Sequence, residues 1–170
     1  MKKAIQSIDR ALIDLYAIDS PYQAQDFLME PHPQHASGAL LVEKTASEDE
    51  LNVGIILNPQ IAEELSNFET WIKSSWSLPQ AQALAVGTEE VSHFRYLIFH
   101  STQERSVSEL ELEFQAEVDK FLVLFFSQEK PAFDPLYSML FENYRLQKDL
   151  PPEKAERYQE ANRHAKRFIA

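Results

Sequence analysis

The sequence contains no cysteine, which excludes disulfide bonds and thiolate-bound metals and leaves histidine, aspartate and glutamate as the strong metal ligands. Its three glycines do not form the glycine-rich phosphate loops of Walker or Rossmann proteins. No apolar run approaches the ~20 residues that a transmembrane helix needs, and the first residues lack the apolar stretch of a signal peptide. These absences predict a soluble, cytoplasmic protein.

Positive charge is also scarce in this chain. There are 16 lysines and arginines against 27 aspartates and glutamates, which gives a formal net charge of −11. A surface of this sign repels nucleic acids and anionic membranes. Neither is therefore expected as a partner.

Residues 1–170 are predicted to form a single α+β domain. The chain is 44% hydrophobic and has 11 phenylalanines, enough for a sizeable core. Apolar residues recur at helical spacing over residues 2–17, whereas residues 40–44 and 51–57 have the pattern of two strands joined by a polar turn. The expected architecture is a small sheet of two or three strands, at about residues 39–57, followed by a packed helical portion.

The second half of the chain is predicted to be helical. Gly87 and Thr88 suggest a turn followed by a helix N-cap, so a new helix is expected to begin near Glu89. Residues 81–86 before it fit either a third strand or the start of that helix. Further helices are expected at three places, namely about residues 106–126, residues 131–147 and from Pro151 to the C-terminus.

One group of ionisable residues has a spacing that is typical of metal-binding and acid–base sites on a helix. Glu89 and His93 are four residues apart, so on a helix both side chains project from one face. Glu90 is offset toward an apolar stripe, where a carboxylate must be paired, protonated or bound to a ligand. Tyr96 and His100 continue the face that carries His93 and are candidate accessory residues.

The next predicted helix supplies further carboxylates. Glu113 and Glu117 lie one turn apart at the edge of its apolar stripe. Two consecutive helices joined by a short loop pack antiparallel, so these carboxylates are expected to converge on His93. The sequence predicts a site for one divalent metal with three ligands, namely Glu89, His93 and either Glu113 or Glu117. A carboxylate can bind zinc, and a set this anionic also suits the harder metals manganese and iron.

This layout resembles the zincin metallopeptidases, especially their compact single-domain members, over about residues 39–126. In that family a strand pair precedes a helix bearing His-Glu-x-x-His, and a later helix supplies a third ligand, which is a glutamate in the gluzincin branch. His93 matches the second motif histidine and Glu90 the catalytic glutamate, while Glu89 stands where the family has its first histidine. Glu113 or Glu117 would match the distal ligand. The resemblance implies metal-assisted hydrolysis of a peptide-like bond with Glu90 as general base, or a scaffold that no longer has this activity.

Two other interpretations of these residues stay open. Glu90 and His93 form a Glu-x-x-His element of the kind that ferritin-like di-metal sites use, although such sites need a second element. The same residues also fit a purely structural network, hydrogen-bonded across the helix pair with Arg95, Lys120 or Arg145.

The C-terminal segment gathers positive charge in an otherwise acidic chain. Its basic residues are Arg145, Lys148, Lys154, Arg157, Arg163, Lys166 and Arg167. A basic helix of this kind, together with the acidic helices, could bind a protein partner. It could equally pair internally with the glutamate-rich helix at residues 106–126. A non-catalytic protein-protein interaction module is thus the alternative to a metal-dependent hydrolase.

Overall fold

A helix, a two-stranded sheet and a helical half follow one another along the chain. The computed structural model describes residues 1–44, 51–144, 146 and 150–170. The α-helices of these residues are α1 (Lys2–Tyr16), α2 (Pro59–Ser66), α3 (Phe68–Trp71), α4 (Leu78–Ser101), α5 (Glu109–Phe126), α6 (Phe133–Tyr137) and α7 (Pro152–Ile169). The strands are β1 (Gly38–Lys44) and β2 (Leu51–Leu57), with a short 3₁₀ helix at Ala24–Phe27 before them. This confirms the predicted α+β class.

The sheet consists of β1 and β2 paired antiparallel. Gly38 lies opposite Leu57 at one end of the pair, and Lys44 lies opposite Leu51 at the other. Both strands were predicted, because their apolar, β-branched residues favour a pleated and half-buried surface. The end of β2 from Gly54 onward is buried, so the sheet rests on the helical half through this end. The polar turn predicted at residues 45–50 lies outside the described residues.

The main correction to the predicted fold concerns α4. A new helix was expected near Glu89, and a third strand was an alternative for residues 81–86, but α4 runs through both regions from Leu78 to Ser101. It begins with a capping box, in which Ser77 and Gln80 each accept a hydrogen bond from the other's backbone N–H. Thr88 does not cap a helix, because its hydroxyl donates to a carbonyl one turn earlier at 2.8 Å.

Gly87 is inside α4 because the helix is packed closely there. A Cβ atom at this position would lie 3.1 Å from the Cδ1 atoms of both Ile8 and Leu65. The glycine therefore serves helix packing rather than a turn, which is why its sequence signal was misleading.

Two further helix boundaries differ from the prediction. α5 begins at Glu109 rather than at residue 106, because the Ser108 side chain caps it by accepting a backbone N–H at 3.2 Å. The helix expected over residues 131–147 is shorter, since α6 and the π-helical turn after it end at Glu142. Residues 145 and 147 of that expected helix lie outside the described residues.

The core is centred on α4, which packs against α1, α2 and α5, while α7 covers α5. Phe94, Leu84 and Val91 of α4 are fully buried, as is Leu124 of α5. Because α4 is covered on several sides, it also buries polar residues, and these build the candidate site. Within the described residues, no helix has both the length and the apolar character needed to cross a membrane.

Candidate functional site

His93 of α4 lies between two carboxylates. Its Nδ1 atom is 3.8 Å from Glu90 Oε2, one turn away on the same helix. Its Nε2 atom is 3.4 Å from Glu113 Oε2 on α5. The Glu90 and Glu113 side chains are both buried, so this cluster has little access to water. Sequence spacing alone had predicted that His93 and Glu113 would meet.

Two atoms of this cluster make no hydrogen bond. Glu90 Oε2 and His93 Nε2 are buried and have no partner among the described residues. Both distances to His93 exceed the 2.7–3.2 Å that is typical of N–H···O hydrogen bonds. Since buried polar atoms are nearly always bonded, each exception needs an explanation, and a bound ion is one of them.

The charges in this cluster depend on each other. Burial alone lowers the pKa of His93, but its interactions with Glu113 and Glu90 outweigh burial and raise the pKa to about 10. Burial raises the pKa of Glu90, and the nearby charges of Glu89 and Glu113 raise it further, against the opposing effect of His93. His93 is therefore a cation at neutral pH when only protein surrounds it.

Glu89 and Glu117 are bound by a lysine rather than by His93. Lys120 Nζ donates to Glu89 Oε2 at 2.9 Å and to Glu117 Oε1 at 2.6 Å. Asn162 of α7 donates to the second oxygen of Glu117 at 3.1 Å. The structural network was expected to join Glu90 and His93 to Arg95, Lys120 or Arg145, but Lys120 binds Glu89 and Glu117 instead. Arg95 is bound to Asp9 instead, and Arg145 lies outside the described residues.

A pocket of about 210 Å³ lies beside the cluster and is walled by β1. The β1 backbone comes very close to α4 at one point, where a Cβ atom on Gly38 would lie 2.8 Å from Glu90 Oε1. Only a glycine allows this approach without displacing the Glu90 carboxylate. The opposite wall is formed by α7 through Lys154, Arg157 and Tyr158.

The sequence did not assign Tyr158 to the site. Nothing in its spacing relates it to His93, which lies 65 positions earlier in the sequence. Burial raises the pKa of Tyr158 above its ordinary value, and the charges of Glu113, Glu89 and Glu90 raise it further. Its phenol therefore stays protonated, and the Glu113 carboxylate is the acceptor within its reach.

The basic residues of α7 are partly engaged within the molecule. Arg157 forms an ion pair with Glu109 at the start of α5, as internal pairing with the acidic helix predicts. Lys166 lies 3.6 Å from Glu142, and Arg163 lies 3.3 Å from Glu160 on α7 itself. Arg145 and Lys148 lie outside the described residues.

Tyr96 and His100 do not reach the His93 cluster. Their rings contact each other, with 4.3 Å between centroids, and both line a separate cavity together with Tyr16 and Asp119. The wall of the His93 pocket continues along α4 through Leu97, whereas Tyr96 faces the other cavity and His100 lies about two turns beyond His93.

No protein family matches the sequence, and neither a curated protein nor a solved structure matches it. The similarity to zincin metallopeptidases therefore stays a prediction that rests on the residues of α4 and α5. In the part of the chain that the structure describes, no group of three or more histidine, aspartate or glutamate side chains is arranged to hold a metal ion. Among the described residues, a bound metal ion would therefore have fewer than three ligands of these types.

Proposed function

We propose that this protein binds one divalent cation between His93 and Glu113, beside the pocket under β1. The observation that carries the proposal is the 3.4 Å separation of His93 Nε2 and Glu113 Oε2, together with the absence of any hydrogen bond to that nitrogen among the described residues. Two ligands of a tetrahedral zinc ion, each at ~2.0–2.1 Å, stand about 3.4 Å apart. The pair therefore spans the length of one edge of a metal site, and a bound ion would replace the ion pair that protonated His93 forms with Glu113 at this distance.

The position of Glu90 suggests how His93 would be oriented. Metal-binding histidines usually donate their second ring N–H to a carboxylate, which holds the ring in place. Glu90 Oε2 is the carboxylate atom near Nδ1, at 3.8 Å, so it stands behind the imidazole while Nε2 faces Glu113. This favours an orienting role for Glu90, whereas the zincin resemblance assigns it the role of general base.

The reaction that we infer for this site is hydrolysis of a peptide-like bond. A divalent ion would supply Lewis-acid polarisation of the carbonyl oxygen. Among the residues of this chain, Tyr158 would hold its phenol proton at the Glu113 carboxylate, and Lys154 would place positive charge at the pocket wall. Zinc, manganese and iron are the candidate ions, because the ligands are one imidazole and one carboxylate.

Metal binding is tested by titrating untagged protein with Zn²⁺ and Mn²⁺ in a calorimeter at pH 8.5, where the imidazole proton is easier to displace. We expect about one ion per chain in the native protein and no saturable binding in His93→Ala or Glu113→Gln. His164→Ala is the matched control, because His164 and Glu160 form a surface pair 3.6 Å apart.

Two results would count against the metal. One is equal binding by the native protein and both site variants, and the other is no binding by a native protein that is folded. The second result would leave the interaction module, in which the acidic helices and the basic C-terminal helix bind a protein partner, as the remaining interpretation.

The role of Glu90 is tested by Glu90→Gln, which keeps the size of the side chain. If Glu90 orients His93, metal affinity is expected to fall about 10- to 100-fold, because the ring loses its charged acceptor. If Glu90 is the general base instead, the variant keeps its metal and loses hydrolysis of a peptide substrate. Measuring affinity and turnover on the same preparation separates these two roles.

A further inference from the structure

A second cavity of about 250 Å³ lies between α1, α4 and α5. It shares no lining residue with the pocket beside His93. Its wall is mostly apolar, and the aromatic side chains of Tyr16, Tyr96 and Phe99 contribute to it. Cavities with such walls and a few polar groups in defined positions are the usual sites for small molecules.

Asp119 is the acidic residue in the wall of this cavity, and it is 2% exposed. Its carboxylate accepts from Ser92 Oγ at 2.6 Å, from Tyr16 Oη at 2.5 Å and from Gln115 Nε2 at 2.9 Å. Gln115 also donates to Tyr16 Oη at 2.9 Å, so these groups hold one another in a single arrangement. All three donors are uncharged, and the negative charge of the carboxylate is not neutralised by them.

Asp119 differs in this respect from the other buried acids. Each of those lies within 3.8 Å of a cationic side chain, and the pairs are Asp9 with Arg95, Glu90 with His93, Glu113 with His93, and Glu117 with Lys120. Asp119 forms no ion pair with any residue that the structure describes. Burial raises its pKa, although the three hydrogen bonds and the more distant charge of His93 oppose the rise. Because a buried charge is costly without an opposite one, this wall would be stabilised by a cation.

The two basic residues of the lining do not supply that cation. Arg95 donates to both oxygens of Asp9, at 2.5 and 2.6 Å, so the two together are neutral. Burial and the nearby charge of Arg105 lower the pKa of His100, so its imidazole is uncharged at neutral pH. The charge that is left over in the lining is therefore the negative charge of Asp119.

The rings in the wall favour the same kind of ligand. Tyr96 and Phe99 both contact His100, with 4.3 and 5.1 Å between ring centroids, and these contacts hold the three rings in place. All three also line the cavity. The Tyr16 ring carries a hydroxyl bonded to Asp119, which polarises the ring toward higher electron density. Aromatic rings of this kind attract cations, and quaternary ammonium groups are the ligands that use this attraction most.

We propose that this cavity binds a methylated ammonium group. The rings of the wall contact its methyl groups, and Asp119 supplies the opposite charge from within the wall. A quaternary ammonium has no N–H, so it leaves the hydrogen bonds of Ser92, Tyr16 and Gln115 to Asp119 intact. This inference does not depend on a metal at His93, since the two pockets have separate linings.

Three probes of the same shape and different charge test the proposal, namely the cation choline, the neutral 3,3-dimethylbutanol and the anion 3,3-dimethylbutanoate. Their binding to the full chain is measured by titration, following the backbone amide signals of α1, α4 and α5 by NMR. Choline is expected to bind about tenfold more tightly than the alcohol, and the anion most weakly. The proposal is overturned if no probe saturates these signals, or if the alcohol or the anion binds as tightly as choline.

A methylated ammonium group can come from a free small molecule or from a modified lysine side chain of another protein. The acetylated amide of trimethyllysine, titrated in the same way, separates these sources. Weaker binding than that of choline assigns the cavity to a small molecule, and tighter binding assigns it to a side chain. Both results support the ammonium site.

Variants locate the site. Phe99 is 43% exposed, so Phe99→Leu should fold normally, weaken choline about fivefold through loss of the ring and leave the alcohol nearly unchanged. Phe126→Leu is the matched control, because Phe126 is 68% exposed and lines another part of the surface. Asp119→Asn keeps the shape of the side chain and should remove most of the preference for choline over the alcohol. If Asp119→Asn does not fold, Phe99→Leu decides, since an unchanged preference for choline in that variant would contradict the proposal.

Discussion

Replacing Asp9 by alanine is expected to lower the free energy of unfolding by about 3–5 kcal/mol. Asp9 of α1 and Arg95 of α4 are each 3% exposed, and two hydrogen bonds join them. Asp9 Oδ2 also accepts from the backbone N–H of Ala24 at 2.9 Å. The substitution leaves a buried guanidinium without its counter-charge and a buried N–H without its acceptor, and both are expensive.

Urea and thermal unfolding measure this effect. A loss of this size corresponds to a melting temperature about 10 °C lower in a chain of this length. Asp14→Ala is the matched control on the same helix, because Asp14 pairs with Arg10 at 3.2 Å on the surface, and it should cost less than about 1 kcal/mol. Equal effects of the two substitutions would contradict the prediction.

A double variant keeps the Asp9 prediction testable if Asp9→Ala fails to fold. Asp9→Leu with Arg95→Met removes both charges and fills similar volume, so it is expected to recover most of the lost stability. If the double variant is as unstable as the single one, the cost arises from packing or from the Ala24 N–H that has lost its acceptor, rather than from the unpaired charge.

Replacing Lys120 by methionine is the second change with a large expected effect, again about 3–5 kcal/mol near neutral pH. Lys120 joins Glu89 of α4 to Glu117 of α5, and its side chain is only 12% exposed. Methionine fills similar space but leaves the buried Glu117 and the largely buried Glu89 carboxylates without a cation. These carboxylates lie close to Glu90 and Glu113, so like-charge repulsion adds to the cost of burial.

The pH dependence of this effect follows from the pKa shifts. Burial alone raises the pKa of Glu89, but the charges of Lys120 and His93 outweigh it and lower the pKa below 4.5. Its contribution to stability is therefore present above pH 4.5 and is lost as pH falls through the lower folded value. Burial alone lowers the pKa of Lys120, but Glu117 and Glu89 raise it above 10.5, so its contribution is lost only as pH rises through that higher value.

The free energies of unfolding of the native protein and of Lys120→Met should therefore differ most at pH values between the folded pKa of Glu89 and that of Lys120. In Lys120→Met the carboxylates can relieve their repulsion by taking up protons, so its stability should approach that of the native protein in mild acid. Urea unfolding at several pH values between 4 and 8 measures this convergence. Adding Glu117→Gln should restore part of the stability at neutral pH, while Lys166→Met, at an exposed pair with Glu142, should change little. A stability difference that is constant over this range would contradict the electrostatic explanation.

The sequence predicted most of the elements of the fold but not all of their boundaries. α1, both strands and α7 were found because the period of their apolar residues and their Pro signals are local properties. The predicted start of α4 was wrong because Gly87 and Thr88 have the residue types that are typical of a turn followed by a helix N-cap. Only the neighbouring side chains of Ile8 and Leu65 explain why a glycine is needed within the helix.

The candidate site could be predicted only in part, for the same reason. Spacing on α4 and α5 was enough to bring His93 near Glu90 and Glu113, since i, i+3 geometry and an antiparallel helix pair are local consequences of sequence. It did not separate Glu89 and Glu117 from that group, because Lys120 is three residues after Glu117 but no local spacing relates it to Glu89 on α4. Asp119 and Tyr158 were not predicted at all.

The sequence by itself determined the α+β class, the helix and strand order, and which residues could share a face of α4 or α5, because these depend on local periodicity and composition. Only the tertiary structure decided the partners of each buried charge. Glu89 could have met a metal but is bonded to Lys120, and Arg95 could have met a carboxylate of α5 but is bonded to Asp9. These choices depend on contacts between residues up to 86 positions apart. Such contacts are set by how the helices pack, and each buried charge is then satisfied by whichever opposite group the packing brings within reach.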